Sequence, residues 1–301
     1  MRATVICNPR AGKREADGDL EGAVNVLERA GWSVSVQRSE GPGDATRLAR
    51  EAAEAGLDAV MVAGGDGTLN EAVQALAGTQ TALGYLPYGT VNIWARELNM
   101  PLDPEEAARS AVNGRVEQVD LGMANDRYFL LMAGIGFDAE VVRRARSVEQ
   151  HKQRFGVLPY VAVGLSTVPL YRAGDVELRY DGLIRRVQAL MLVVGNTRLY
   201  AGKVQLTPNA VANDGWLDLC IVKGKGPIAM VRQSVPVFLS GSIARSDVEL
   251  IRVQELTVTA DKPLPAQVDG ELAGVTPVQF SVAPRALRVI IPQGFSSNLI
   301  A

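Results

Sequence analysis

Through residues 1–120, short apolar runs alternate with stretches of helical spacing. Residues 4–7, 33–37, 59–63 and 82–86 read as short apolar strands, and 20–30, 45–55 and 69–76 carry apolar positions at helical intervals between them. That alternation predicts a parallel sheet covered by helices. Ligands of such sheets bind beyond the carboxyl ends of the strands, which draws attention to three loops, 8–13, 38–44 and 64–68.

The pattern changes after about residue 120. Runs 175–180 and 183–194 flank Asp181-Gly182, a favoured pair for a tight hairpin turn. Further strands are predicted at 216–222, 248–259, 266–268 and 277–282, separated by turn residues at short intervals. Residues 288–292 read as a last strand that returns to the first half. The expected fold is therefore an N-terminal α/β domain with a parallel sheet (1–120 with 285–301), followed by a C-terminal antiparallel β-sandwich-like domain (121–284).

The most telling stretch is 60–71. An apolar strand runs into Gly64-Gly65-Asp66-Gly67, where glycines permit a sharp turn and close approach to a ligand. Thr68 and Glu71 have the spacing of a capping box, which predicts Thr68 as the N-cap of the next helix. Strand, glycine loop and helix start together form an anion cradle suited to phosphate; the plainer alternative is a tight turn without a ligand. Asp66 beside a phosphate calls for a bridging divalent metal or a proton to handle. Neither this loop nor residues 8–13 has Walker A spacing.

Composition narrows the chemistry. The 301 residues are 47% hydrophobic and 21% charged with net charge −2, so nothing global points to nucleic acid. The single histidine, His151, disfavours His-rich zinc sites and a Ser-His-Asp triad. Cys7 and Cys220 lack metal-ligand spacing and read as buried free thiols in a reducing cytoplasm. The longest uncharged stretch, 155–171, is shorter than the roughly 20 residues of a spanning helix and is broken by Pro159 and Pro169. Arg143, Arg144, Arg146, Lys152 and Arg154 precede it. Such a segment either rests on an anionic bilayer surface or is a core helix after a solvated face. Gly134-Ile135-Gly136-Phe137-Asp138-Ala139 fits G-x-G-x-x-A but lacks the acid that closes a second strand in a dinucleotide fingerprint.

Together the segments Asn8-Pro9-Arg10-Ala11-Gly12, Gly64 to Glu71, Leu86-Pro87-Tyr88-Gly89-Thr90-Val91-Asn92, Asp120-Leu121-Gly122, Gly134 to Asp138, Asn213 to Leu217 and Val268-Asp269-Gly270-Glu271 resemble the diacylglycerol kinase catalytic-domain family. They keep the family's order over nearly the whole chain. The resemblance is greatest to the soluble bacterial lipid kinases of the YegS-like type.

That resemblance implies ATP-dependent phosphorylation of a lipid hydroxyl, with diacylglycerol giving phosphatidic acid as the leading reaction. It implies nucleotide contacts at Asn8, Pro9, Arg10, Ala11, Gly12, Ser39, Gly64, Gly65, Asp66, Gly67, Thr68, Leu69, Asn70 and Thr90. It implies Mg²⁺ held by Asp214 with the carbonyls of Val211 and Trp216, where Asp214-Gly215 would otherwise be a simple turn. Glu271 matches the family's proton acceptor. Asp269 shares a face with it if the segment is extended, and Asp66 would support the metal on the phosphates. Ile93 stands where several bacterial members carry an aspartate of the metal's water network. A lipid presented by a membrane surface, transient association of a cytoplasmic protein and a homodimer through exposed strand edges all accord with this reading. The rivals are an NAD kinase-like enzyme, which shares the glycine loop, and a non-catalytic lipid- or nucleotide-binding member.

Overall fold

The computed structural model describes residues 1–12, 16–145, 163–164, 166–167, 171, 174–202, 204–224, 248–295 and 297–300. The chain forms two compact units, Met1–Leu121 with Pro284–Ala301, and Gly122–Ala283. The expected segment 155–171 falls mostly outside the described residues, as do Lys13, Arg146, His151, Lys152 and Arg154.

In the first unit β1 (Arg2–Cys7), α1 (Ala16–Arg29), β2 (Ser33–Arg38), α2 (Asp44–Glu54), β3 (Ala59–Gly64), α3 (Asp66–Leu76) and β4 (Ala82–Pro87) follow the predicted alternation. Then come α4 (Ile93–Glu97), α5 (Pro104–Val112) and β5 (Arg115–Ala124), which carries the chain onward. β1 pairs in parallel with both β2 and β3, and β3 with β4. β3 and β4 are buried at every position, while β2 alternates between exposed and half-buried residues, as an edge strand does. The order β2-β1-β3-β4 reverses direction between β1 and β3. Such a switch point opens a crevice beyond the strand ends, here flanked by the loops after Cys7 and Gly64.

The second unit contains β6 (Arg127–Phe129), β7 (Met132–Gly136), α6 (Phe137–Ala145), β8 (Gly174–Tyr180), β9 (Leu183–Gly195), β10 (Leu199–Tyr200), β11 (Val204–Gln205) and β12 (Leu217–Lys223). β13 (Val248–Val253), β14 (Glu255–Ala260), β15 (Pro265–Val268), β16 (Glu271–Val275) and β17 (Val278–Ile291) complete it, and β17 returns the chain to the first unit. The predicted hairpin is present: Asp181 and Gly182 have φ of 49° and 74° between β8 and β9. β9 pairs with β8 along its first half and with β7 and β12 along its second, so one long strand serves two sets of neighbours. The core includes Phe129, Ile135, Leu178, Leu192, Leu219, Val258 and Phe280. A parallel α/β unit followed by an antiparallel β-sandwich is the fold class read from the sequence.

Two strand expectations need correction. Residues 248–259 form two strands, because β13 pairs with β12 and β14 with β8 and β17. Conversely, 277–282 and 288–292 belong to one 14-residue strand, β17, which bends where Arg285 takes φ 50°. Its end lies parallel to β4 at Val289 and Leu83, as the expected last strand of the α/β unit. The G-x-G-x-x-A stretch does lead from strand to helix, but β7 is antiparallel to both β9 and β15, so no βαβ dinucleotide unit exists there. Cys7 and Cys220 are both buried and free, and burial pushes the Cys220 thiol up to about 12.

Candidate active site

The loop after β3 is built almost entirely from backbone. Gly65 is the N-cap of α3, with extended φ and ψ and no side chain to satisfy the first-turn N–H groups. Thr68 is therefore not the cap. The helix begins earlier, at Asp66, and buries Thr68 in its first turn, where its Oγ1 accepts a 3.0 Å bond from Asn8 Nδ2. Glu71 turns the other way and accepts from the Ala45 N–H at 3.2 Å, tying α3 to α2. A Cβ on Gly64 would sit 2.7 Å from the Thr68 Cβ, so this early turn into the helix requires glycine.

Asn8 organises the loop after β1. Its N–H bonds to the Ala63 carbonyl at 2.9 Å, and its Oδ1 accepts from Arg10 N–H at 3.0 Å. Its carbonyl accepts from Ala11 N–H at 3.0 Å. Pro9 and Arg10 are exposed, while Ala11 and Gly12 are half-buried. Gly12 has φ 76°, and a Cβ there would fall 2.1 Å from the Tyr88 carbonyl oxygen. Ser39 is buried with its N–H on the Cys7 carbonyl at 2.9 Å, which holds it to the end of β1. Thr90 is exposed just past Gly89, whereas Leu69 and Asn70 are buried in α3. The structure thus gathers the loops of Asn8, Ser39, Gly64 and Gly89 at one edge of the sheet.

Asp66 is engaged, through one carboxylate oxygen, with the segment after β4. Its Oδ1 accepts from the N–H groups of Ile93 at 2.8 Å and Trp94 at 3.5 Å, at the start of α4. The carboxylate thereby fixes the segment that follows Gly89. Tyr85 and Asn92, to which sequence reasoning assigned no role, complete this support. The buried Tyr85 hydroxyl lies 3.2 Å from the Gly64 carbonyl and 2.9 Å from Asn92 Oδ1, and Asn92 Nδ2 donates to the Gly89 carbonyl at 2.9 Å. Burial, and then the Asp66 charge, push the Tyr85 hydroxyl well above its ordinary value, keeping it protonated.

In the second unit the expected acids lie on the turn between β15 and β16. Asp269 and Gly270 have φ of 46° and 85°, so Asp269 is in a turn and not in an extended segment beside Glu271. Its carboxylate accepts from Leu130, Leu131 and Met132 N–H groups at 2.9, 3.1 and 2.9 Å. A carboxylate that accepts from three successive amides is a bracket for the 130–132 segment. Glu271 is different: its side chain is 44% exposed and pairs with Arg127. Arg127 carried no signal in the sequence, because the pairing joins positions 144 residues apart.

The expected metal loop is already engaged. Asp214 Oδ1 accepts from Trp216 N–H at 3.0 Å, and Oδ2 pairs with Arg252, whose guanidinium lies 5.2 Å from the Trp216 ring centroid. Val211 is half-buried nearby in the sequence, before the Gly215 turn with φ 76°. Among the described residues no group of three or more Asp, Glu, His or Cys side chains is placed to hold a metal ion. A Mg²⁺ held by Asp214 with the carbonyls of Val211 and Trp216 would have to share that carboxylate with the Arg252 guanidinium.

A parallel α/β unit with a glycine loop at its switch point, followed by an antiparallel β-sandwich, is the class of two-unit fold that the chain forms. Comparison with known proteins agrees. The family model described as the diacylglycerol kinase catalytic domain matches residues 2–124, and that described as the YegS C-terminal NAD kinase beta sandwich-like domain matches 132–291. The chain is 31% identical over 301 residues to diacylglycerol kinase of Bacillus subtilis (strain 168), covering 99% of each protein. It is 32% identical over 294 residues to diacylglycerol kinase of Staphylococcus aureus (strain MRSA252), covering 97% of this chain and 92% of that one. A solved structure from Bacillus anthracis str. Sterne superposes with a TM-score of 0.83 at 26% identity, over 98% of this chain and 96% of the other.

The chain belongs to the diacylglycerol kinase catalytic-domain family. It is a lipid kinase at the level of that family, a transferase that phosphorylates an alcohol acceptor. No helix among the described residues is long and apolar enough to cross a membrane.

Proposed function

We propose that the chain transfers the γ-phosphoryl group of ATP to the free hydroxyl of diacylglycerol, giving phosphatidic acid. One observation carries the nucleotide half of this reading: α3 starts on a side-chain-free N-cap at the switch point of a parallel sheet. The full-length relatives named diacylglycerol kinase support the acceptor half.

In this reading the amides at the start of α3 and the loop of Asn8 to Gly12 hold the phosphates, with Arg10 adding positive charge. Asp66 keeps the Gly89–Asn92 segment in place through the α4 amides. Mg²⁺ arriving with ATP supplies charge neutralisation on the phosphates. The lipid hydroxyl oxygen forms the new bond to the γ-phosphorus while the bond to the bridging oxygen breaks and ADP leaves. Glu271 receives the hydroxyl proton, and Arg127 holds that carboxylate in position beforehand. Asp269 is spent on the 130–132 amides and takes no part in the proton transfer. A lipid acceptor places the reaction at a membrane surface, which the protein meets peripherally.

NAD is the second acceptor to test, since the matched model of the second unit describes an NAD kinase-like sandwich. Purified protein with Mg²⁺ and γ-labelled ATP is offered diacylglycerol in mixed micelles, other lipid alcohols, or NAD. Labelled phosphatidic acid is the expected product. Label confined to NADP, or to another lipid, would contradict the assignment of the acceptor.

A further inference from the structure

We infer that Tyr200, Asp138 and Gln267 form a hydrogen-bonded positioning chain that acts on Glu271 through the Gly270 amide. The inference rests on the reading of Glu271 as proton acceptor and goes beyond it. The direction of each bond follows from chemistry. The Gly270 N–H can only donate, so the group 2.7 Å from it must be the carbonyl oxygen of Gln267. That orientation turns Gln267 Nε2 toward Asp138 Oδ2, also at 2.7 Å, and an amide nitrogen requires an acceptor there. Asp138 Oδ1 in turn accepts from the Tyr200 hydroxyl. Burial, then the neighbouring Asp138, push that hydroxyl well above its ordinary value, so it stays a donor.

The chain is expensive to bury. Asp138 and Gln267 are 4% and 3% exposed, and a carboxylate at such a site needs its partners to be tolerated at all. Room for it comes from Gly134, where a Cβ would stand 2.0 Å from Asp138 Oδ2 and 2.9 Å from Gln267 Nε2. The glycine that mimics a dinucleotide fingerprint is thus used to seat a carboxylate. The turn before Glu271 is then anchored twice, by Asp269 on the 130–132 amides and by Gln267 on Gly270. A hairpin turn needs no such second anchor; an exposed acid that must point in one direction does.

The test is a double-mutant cycle on the full chain with Asp138→Asn and Glu271→Gln, read in kcat, the KM for ATP and hydrogen exchange at Gly270. Asparagine keeps only one of the two acceptors that the carboxylate presents to Tyr200 and Gln267, which loosens the hold on the Gln267 amide and with it the acceptor of the Gly270 N–H. The expected result is a kcat lowered about ten- to a hundredfold, the order that a slightly misplaced group produces, with the KM for ATP unchanged and faster Gly270 exchange. In the Glu271→Gln background Asp138→Asn should change the residual turnover no further. Tyr200→Phe, which removes only a hydroxyl, runs the same cycle should Asp138→Asn not fold. An equal loss in both backgrounds, or wild-type kcat with a lowered melting temperature, overturns the positioning role alone. Full turnover in Glu271→Gln overturns the proton-acceptor reading and this inference with it.

Discussion

The turn after β3 and the turn after β15 both carry an aspartate next to a glycine, and both aspartates look catalytic in the sequence. In the fold both accept from backbone amides of another segment. Asp66 accepts from the amides of Ile93 and Trp94, and Asp269 from those of Leu130, Leu131 and Met132. What each turn leaves available differs. The first offers backbone amides at a helix start with a glycine cap, and the second leads into one half-buried carboxylate, Glu271, paired with Arg127. The first is made by removing side chains until main chains can approach; the second is made by stacking polar side chains behind a single acid. An acid within a glycine motif therefore reads as a candidate scaffold as readily as a candidate reagent.

The largest effect is expected where the second turn presents its reagent. Glu271→Gln should lower the kcat of lipid phosphorylation by about 10²–10⁴-fold, the usual worth of a general base, while ATP binding is retained. Gly89→Ala should come next. Its Cβ would meet the Gly65 Cα at 2.6 Å and Asn92 Oδ1 at 2.5 Å, so overpacking of about 1–3 kcal/mol and a weakened affinity for ATP are expected by thermal unfolding and calorimetry. Asp66→Ala removes a helix-capping acceptor, which costs about 0.5–2 kcal/mol. Turnover should fall further than that loss of stability alone would explain, because the Gly89–Asn92 segment is released.

The smallest expected effect concerns pH and falls on the second unit alone. Burial raises Asp218 from its ordinary 3.8 to about 6, opposed by Arg252 and reinforced by Asp214. The folded second unit therefore binds this proton more readily than the unfolded chain, and its stability falls as pH rises from about 4 to 6. Glu249 acts in the opposite sense: Arg185 and Lys223 hold it at about 2, so its contribution is present above 4.5 and lost as pH falls toward 2. Asp218→Asn should flatten the decline between pH 4 and 6 and raise the melting temperature at pH 7 by about 2–4 °C. A further consequence of the Arg252 pair is that Mg²⁺ without nucleotide should leave the melting temperature unmoved. A Mg²⁺-dependent rise abolished by Asp214→Ala would show a cation at that loop after all.

Local signals carried most of the fold. The alternation of 3.6- and 2-residue periods marked the β1 to β4 region, and the Asp181-Gly182 pair marked its hairpin, because both depend on neighbours along the chain. α5 is announced by Asp103 capping Glu105 and Glu106 ahead of Pro104, yet its buried face includes three alanines, so hydrophobic periodicity passes over it. Beyond that hairpin and the returning last strand, strand order could not be read. The switch point between β1 and β3, the division of 248–259 and the continuity of β17 all depend on partners distant in sequence. The same limit explains the candidate site. Glycine loops are local and stood out, whereas the employment of Asp66 and Asp269 is decided by amides 27 and 137 or more residues away.

The account stands on main-chain amides receiving the phosphates of ATP at the head of α3. Backbone amide resonances followed during titration with a non-hydrolysable ATP analogue and Mg²⁺ test this directly. The largest shifts should fall on Gly65, Gly67 and Thr68 and on the loop of Asn8 to Gly12. Saturable binding that leaves those amides unmoved, with the shifts collected elsewhere, would contradict it.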